Sequence, residues 1–267
     1  MSSVAEGCRA VLLAAEPRDK VKAARALARA WHRGALRHDF DVDMPDRPKR
    51  PQRPELLPPS QMPKRGKAGS ERGRIAMLHA LAHIEFGAID LAVDMAGRFG
   101  AQFPRPFVDD WLNVAADEAM HFSLLDRRLR ALGTGYGALP AHNGLWEAAE
   151  ATADDPLARL AVVPMVLEAR GLDVTPDILK AFEKGGDRHS AAILTRIYHD
   201  EIRHVAAGAR WFEYGCEARG LAIVAHWQRL IRSRFGGSLK PPFNASARLE
   251  AGLPREMYEG VAEVGFA

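Results

Sequence analysis

The chain has 267 residues, of which 47% are hydrophobic and 27% are charged. This length and composition are typical of a soluble globular protein, built as one large domain or as a domain with extensions. The formal net charge of +3 neither requires nor excludes a polyanionic partner. The two cysteines, Cys8 and Cys216, are too few for a disulfide framework and form no Cys-x-x-Cys metal site.

The apolar stretches predict no membrane segment. No run approaches the ~20 apolar residues that a membrane-spanning helix needs. Residues 1–6 lack the basic start of a signal peptide, and the apolar segment 11–15 is short for a signal core. We therefore expect a cytoplasmic protein with no membrane partner.

The first 69 residues are expected to form an N-terminal extension. Residues 4–36 carry apolar side chains at helical spacing and predict two short helices. Seven prolines between positions 45 and 63 then argue against a helix or a central strand. Because Leu56, Leu57 and Met62 are apolar, we expect residues 37–67 to form an extended arm packed on the protein rather than a disordered linker.

Four long helices are predicted between residues 70 and 219, which makes the fold all-α. Apolar side chains recur at helical spacing over four segments, 70–99, 106–132, 155–184 and 187–219. The third segment begins at Asp155-Pro156, an N-cap followed by proline at the first helical position. Gly171 and Pro176 predict an interruption of this helix, which then resumes over 175–184.

The last part of the chain is expected to form a C-terminal extension. It has a helical pattern over 220–235, a Pro-Pro-Phe-Asn loop at 241–244 and a short helix near 245–251. We therefore divide the sequence into an N-terminal extension, a four-helix bundle and a C-terminal extension, at 1–69, 70–219 and 220–267.

Two matching stretches stand out in the central segment, Asp117-Glu118-Ala119-Met120-His121 and Asp200-Glu201-Ile202-Arg203-His204. On a helix, residues three apart point to the same side, so each glutamate and its histidine can bind one ion together. A further glutamate lies 33 residues before each motif glutamate: Glu85 before Glu118, and Glu168 before Glu201. This spacing suits two antiparallel helices with level glutamates, each about 14 residues (~21 Å) from a short turn.

The six residues together predict a dinuclear metal centre. Four carboxylates and two imidazoles from four helices are the ligands of ferritin-like di-iron and di-manganese bundles. Each residue falls on the apolar stripe of its helix, where a metal pair supplies the positive charge that buried carboxylates need. Such a ligand set favours iron or manganese over zinc or copper, so we expect two iron ions, or else a mixed manganese–iron or di-manganese pair. The predicted ligands are Glu85, Glu118, His121, Glu168, Glu201 and His204.

Asp117 and Asp200 each precede a ligand by one residue, about 100° around the helix, and are therefore aimed at a neighbouring helix. A metal-bound imidazole usually donates its other ring N–H to a carboxylate. We expect each aspartate to accept this hydrogen bond from the histidine of the other motif, and the alternative is an aspartate that faces solvent. His79 and His83 lie on a different side of their helix from Glu85 and are not expected to be ligands.

These residues carry a resemblance to the ferritin-like di-iron superfamily. The Asp-Glu-x-Arg-His form at 200–204 is similar to that of bacterial multicomponent mono-oxygenases and of tRNA-modifying di-iron hydroxylases. The stretches Leu81–Glu85, Glu168–Pro176 and His226-Trp227 more closely resemble one bacterial ferritin-like family that carries a domain-of-unknown-function label. The resemblance covers most of the chain and implies a ferritin-like four-helix bundle with its metal ligands, but no substrate. Unlike the superfamily's oxygenases, the chain shows no motif for a reductase or a further cofactor.

Three functions are compatible with such a centre. The first hypothesis is an O2-dependent di-iron oxidoreductase, or hydroxylase, that acts on a small or medium-sized organic molecule. The second is iron handling or oxidant scavenging without an organic substrate. About 65 residues before the bundle and about 45 after it favour the first hypothesis, because additions of this length are suited to covering a substrate pocket.

The third hypothesis is an RNA-modifying di-iron hydroxylase whose arm binds nucleic acid. The arm carries arginine or lysine at positions 47, 49, 50, 53, 64, 65 and 67. It lacks the interleaved aromatic residues on which bases stack, so a solvated basic face is favoured over an RNA-binding patch. The sequence leaves the oligomeric state open.

Overall fold

The computed structural model describes residues 2–63 and 70–262, and the described residues form helices and loops without a β-strand. The expected all-α class is confirmed. Part of the basic arm, with the cations at 64, 65 and 67, lies outside the described residues. The helices are, in chain order, α1 (Val4–Leu13), α2 (Pro17–His32), α3 (Glu71–Phe99), α4 (Arg105–Ala131), α5 (Gly144–Glu150), α6 (Pro156–Val162), α7 (Ala169–Lys184), α8 (Arg188–Glu217), α9 (Ile223–Arg234), α10 (Ala245–Glu250) and α11 (Arg255–Tyr258).

Local sequence signals explain where several of these helices begin. The hydroxyl of Ser3 accepts a hydrogen bond from the backbone N–H of Glu6, and the Glu6 side chain accepts one from the N–H of Ser3, which is a capping box. Ser70 caps α3 through its side chain alone, which accepts a hydrogen bond from Gly73 N–H. Asp155 caps α6 by accepting a hydrogen bond from Leu157 N–H, as the sequence predicts.

The chain forms two compact units. Unit 1 comprises Met1–Trp146 and Ala181–Ile193, and unit 2 comprises Glu147–Lys180 and Leu194–Ala267. The division by sequence into two extensions and a central bundle stays a prediction.

The core of unit 1 is built on α3 and α4, which pack along each other, with α1 against α3 and α2 against α4. Fully buried aromatic side chains fill it, among them Phe86, Phe107 and Trp111. Trp31 on α2 is also fully buried, and its indole N–H donates to Asp109 Oδ1 at 2.6 Å. The packing of α3 along α4 fixes their register, and side chains of both helices therefore meet inside unit 1.

A buried ion pair links α2 to α3 inside unit 1. Lys20 Nζ lies 2.5 Å from Asp90 Oδ1, and neither side chain is exposed. Arg50 from the arm reaches the other oxygen of the same carboxylate, at 2.6 Å. Both cations lie over the ring of Phe86, at 5.7 and 5.4 Å from its centroid. The buried carboxylate of Asp90 on α3 thus connects α2 and the arm to α3.

The described part of the arm, residues 37–63, follows the surface of unit 1 and makes fixed contacts along it. The guanidinium of Arg98 donates to the carbonyl of Pro45 at 2.9 Å. The indole N–H of Trp146 donates to the next carbonyl, that of Asp46, at 3.1 Å. Further along, Leu57 N–H donates to Ala141 O at 2.8 Å.

In unit 2, the C-terminal segment is held by one buried arginine. Arg248 donates two hydrogen bonds to the Asp173 carboxylate on α7, at 2.8 and 2.7 Å, and its guanidinium lies over the rings of Phe243 and Tyr258. Such bidentate pairing is stronger and more directional than a single contact. Asn244, the last residue of the predicted Pro-Pro-Phe-Asn loop, donates its backbone N–H to the same carboxylate at 2.9 Å.

The predicted interruption of the third long helix is misplaced. Helix α7 runs without a break through Gly171 and Pro176. Proline in a helix interior costs about 3 kcal/mol, a cost that packing can offset, and Leu172 and Phe182 of α7 are fully buried. The irregular segment comes earlier, as a π-helix over Val163–Glu168 between α6 and α7.

One described stretch, Glu71–Gln102, has the length and composition of a membrane-spanning helix, with a mean hydropathy of 1.4 over an apolar window of 18 residues. The expectation that no stretch of the chain approaches such a span is wrong by this measure. However, 67% of the apolar window is buried inside the protein. Burial of this extent is what the core helix of a globular protein shows, so the stretch is weak evidence for a membrane span.

Candidate metal centre

Three of the six predicted ligands come together in unit 1. Glu85 lies on α3, and Glu118 and His121 lie one turn apart on α4. His121 Nδ1 is 3.0 Å from Glu85 Oε2 and 3.4 Å from Glu118 Oε2. One ligand atom from each residue lies within 4.8 Å of those of the others. A buried cluster of this size can hold a metal ion.

The charge of this cluster is unusual for a protein core. Glu85, Glu118 and His121 are respectively 3%, 1% and 0% exposed. Burial disfavours the imidazolium, but hydrogen bonds to Glu118 and Glu85 and the charges of both carboxylates outweigh it and raise the pKa of His121 to about 11. A proton on the imidazole thus balances one of two buried negative charges. A divalent cation has the charge to balance both, so the donor set fits a metal ion better than a proton.

Unit 2 holds the second motif on α8. His204 is buried, with 2% of its side chain exposed, and Glu201 has 13% exposed. His204 Nδ1 lies 3.6 Å from Glu201 Oε1, a distance that places both side chains on one face of the helix. The predicted Glu-x-x-His geometry is therefore present in both units.

Glu168 is the last residue of the π-helix in unit 2 and is half-buried. Two residues account for this irregular segment. Pro164 has no backbone N–H and so cannot donate the hydrogen bond that continues α6. Gly208 on α8 has no side chain where the ring of Pro164 packs. A π-helix shifts the residues that follow it around the helix axis, so it sets the direction in which Glu168 leaves the backbone.

The two aspartates of the motifs differ in their surroundings. Asp200 is buried, and its carboxylate accepts hydrogen bonds from Arg196 and Arg203 of its own helix. Asp117 is half-buried on α4. The charge of Asp200 is therefore held close to the second motif. The pairing of each aspartate with the histidine of the other motif stays a prediction.

Sequence reasoning missed a tyrosine that is fixed beside the first motif. Tyr136 Oη lies 2.9 Å from His83 Nδ1, and His83 Nε2 lies 3.1 Å from the carbonyl of His142. A carbonyl only accepts, so Nε2 carries the proton and Tyr136 donates to Nδ1. Burial, together with the charge of Arg50, lowers the pKa of His83 to about 4, which keeps this ring neutral at pH 7.

His79, also on α3, contacts the loop after α4 that carries Tyr136. Its Nε2 accepts hydrogen bonds from the backbone N–H groups of Gly137 and Leu139, at 3.0 and 3.3 Å. Its ring and that of His83 stack on Tyr136, with centroids 5.6 and 6.1 Å away. Both histidines therefore anchor the loop after α4. Their one-turn spacing on α3 was the signal in the sequence, although it identified neither Tyr136 nor the loop.

The comparisons with known proteins give a family and one relative. The family described as "Protein of unknown function (DUF455)" matches residues 13–259. A protein of Haemophilus influenzae, described as an uncharacterized protein, is 42% identical over 215 residues, which are 78% of this chain and 74% of the relative. No solved structure matches the chain.

Proposed function

The chain belongs to the family described as Protein of unknown function (DUF455), and we propose that it is a ferritin-like dinuclear-metal protein that oxidises an organic substrate with O2. The observation that carries this proposal is the buried cluster of Glu85, Glu118 and His121. A second observation supports it: the chain repeats the same pattern as Glu168, Glu201 and His204. We name each group of three residues a half-site. Two half-sites together have the six ligands of a di-iron carboxylate centre.

The residues of each half-site would have distinct roles. Glu118 and His121, like Glu201 and His204, would bind one ion through a carboxylate oxygen and a ring nitrogen on the same helix face. Glu85, whose Oε2 lies 3.0 Å from His121 Nδ1, would supply a further carboxylate oxygen to that ion. When bound, a pair of iron ions supplies the binding and activation of O2.

The buried surroundings favour oxidation chemistry over simple metal storage. Leu125 lies on α4 one turn after His121, on the same face of the helix, and is fully buried. Apolar walls exclude water, which would otherwise compete for a reactive site. The π-helix that ends at Glu168 adds to this argument, because irregular turns of this kind occur frequently at functional sites.

Metal analysis of protein produced with iron available tests the centre. We expect about two metal ions per chain, and sharply lower content in Glu118→Gln and in Glu201→Gln. Glu183→Gln is the matched control, because this glutamate is exposed and belongs to neither motif. Metal content that is the same in all four proteins would contradict the proposal.

O2 consumption separates oxidation from iron handling. The iron-loaded protein is reduced without air and mixed with O2, with uptake measured per chain. An oxidoreductase centre consumes a small fixed amount of O2 in the absence of substrate and reductant. Continued oxidation of added iron, with many iron equivalents retained per chain, would favour iron handling instead.

A further inference from the structure

Unit 1 contains an open cavity of about 930 Å³. It lies between the start of α2, the arm, the second half of α4 and the loop that carries Tyr136, and we name it the Tyr136 cavity. None of the six predicted metal ligands lines it. A volume of this size is typical of a site for one small molecule.

The cavity is strongly basic. Five cations and two carboxylates line it, which gives a net charge of +3 from its lining alone, as large as the formal net charge of the whole chain. The cations are Arg18, Lys22, Arg53, Arg127 and Arg130, and the carboxylates are Glu16 and Asp126.

Most of this positive charge is not compensated by the protein. Arg130 pairs with Asp126 at 2.9 Å, and Asp126 also accepts the backbone N–H of Tyr136 at 3.0 Å. In the described chain, no carboxylate forms an ion pair with the other four cations of the lining. Like charges that share one concave surface repel one another and raise the local concentration of anions. A ligand that brings negative charge would relieve this repulsion.

The lining of the cavity includes the half-buried ring of Tyr136, which rests on the buried ring of Phe122. The rings of Tyr136 and Phe122 lie edge to face, with centroids 5.0 Å apart. The hydroxyl of Tyr136 is held by His83 at 2.9 Å, which fixes the position of the end of this side chain. His79 and His83 already stack on this ring, so only the part of Tyr136 that lines the cavity is left to contact a planar group of a ligand.

We propose that the Tyr136 cavity binds a small phosphorylated compound with a planar ring, of the nucleotide class. A phosphate monoester carries about −1.5 to −2 charge at pH 7 and can occupy more than one of the four cations, whereas a single carboxylate neutralises one. Guanidinium groups also match phosphate oxygens in geometry. The planar ring follows from the half-buried Tyr136 in the lining. None of these groups is a predicted metal ligand, so the proposal does not depend on the metal centre.

Calorimetric titration of the full-length protein tests the proposal, with ADP, adenosine, inorganic phosphate and a single-stranded RNA 12-mer as probes. We expect ADP to bind more tightly than adenosine, which lacks the charge, and than phosphate, which lacks the ring. Lys22→Gln/Arg127→Gln should weaken ADP binding by at least about tenfold, because it removes two of the four cations that no carboxylate of the lining pairs with. Higher salt should also weaken binding.

Arg25→Gln is the matched control. Arg25 is exposed on α2, as are Arg18 and Lys22, but it does not line the cavity. The exchanged side chains are all exposed, so the variants are expected to fold, and thermal unfolding checks this. The proposal is overturned if ADP shows no binding at millimolar concentration, or if the double variant binds it as well as Arg25→Gln does. Binding of the RNA without binding of ADP would also overturn it, in favour of a polyanion surface.

Discussion

Gly208 and Pro164 are in such close contact that position 208 has no room for a side chain. A Cβ atom placed on Gly208 would lie 2.5 Å from both Cβ and Cγ of Pro164. A proline ring cannot rotate away as a flexible side chain does. The glycine therefore permits α8 to pack directly on the π-helix that ends at Glu168.

Gly208→Ala is expected to destabilise the protein by about 1–3 kcal/mol, because the backbones must separate to admit the methyl group. Gly171→Ala is the control, since a Cβ there meets no atom within 4 Å. That exchange should be neutral or stabilise the protein by up to about 1 kcal/mol through helix propensity. Denaturant unfolding measures both free energies, and equal values for the two variants would disprove the packing argument.

Asp200→Asn is expected to weaken metal retention by about 10- to 100-fold while leaving the fold intact. The exchange removes the buried negative charge of a carboxylate that accepts hydrogen bonds from Arg196 and Arg203 and directly precedes the proposed ligand Glu201. Groups that orient and polarise ligands typically have effects of this size. Competition with a chelator measures retention, and Asp177→Asn, an exposed aspartate paired with Lys180, is the control. Identical retention in the two variants would exclude a role for Asp200.

Lys20→Met is expected to cost about 3–5 kcal/mol of unfolding free energy, because it leaves the buried charge of Asp90 with Arg50 as its main partner. The double variant Lys20→Met/Asp90→Asn removes that charge and should recover part of the loss. Lys180→Met breaks an exposed pair and should change stability by less than about 1 kcal/mol. A double variant less stable than Lys20→Met would show that the carboxylate is not the source of the cost.

His83 is expected to make the protein less stable in mild acid. Its pKa falls from an ordinary 6.5 to about 4 in the folded state, because it is buried and lies near the positive charge of Arg50. Between these values the unfolded chain binds a proton that the folded chain does not, so stability decreases as pH falls from about 7 to 4. His83→Gln should show a shallower loss over this range. Unfolding free energies at pH 7 and pH 5 measure the difference, and parallel losses in both proteins would disprove the prediction.

Helix ends were predictable because their signals are local. Ser70 and Asp155 cap the helices that follow them, and each acts on a backbone N–H two or three residues away. The Glu118–His121 and Glu201–His204 pairs were predictable for the same reason, since helix geometry alone places residues three apart on one face. That Glu85 meets the first pair was inferred from its 33-residue spacing, and the packing of α3 on α4 achieves it.

By itself, the sequence determined the all-α class and the two Glu-x-x-His pairs, because both depend on short-range spacing. Only the tertiary structure decided where the third long helix becomes irregular, since Gly208 must lie against Pro164, 44 residues earlier. It alone also revealed the Tyr136 cavity, whose cations come from α2, the arm and α4. The physical reason is the same in both cases. Contacts between distant segments follow from how whole helices pack, and no local pattern records that packing.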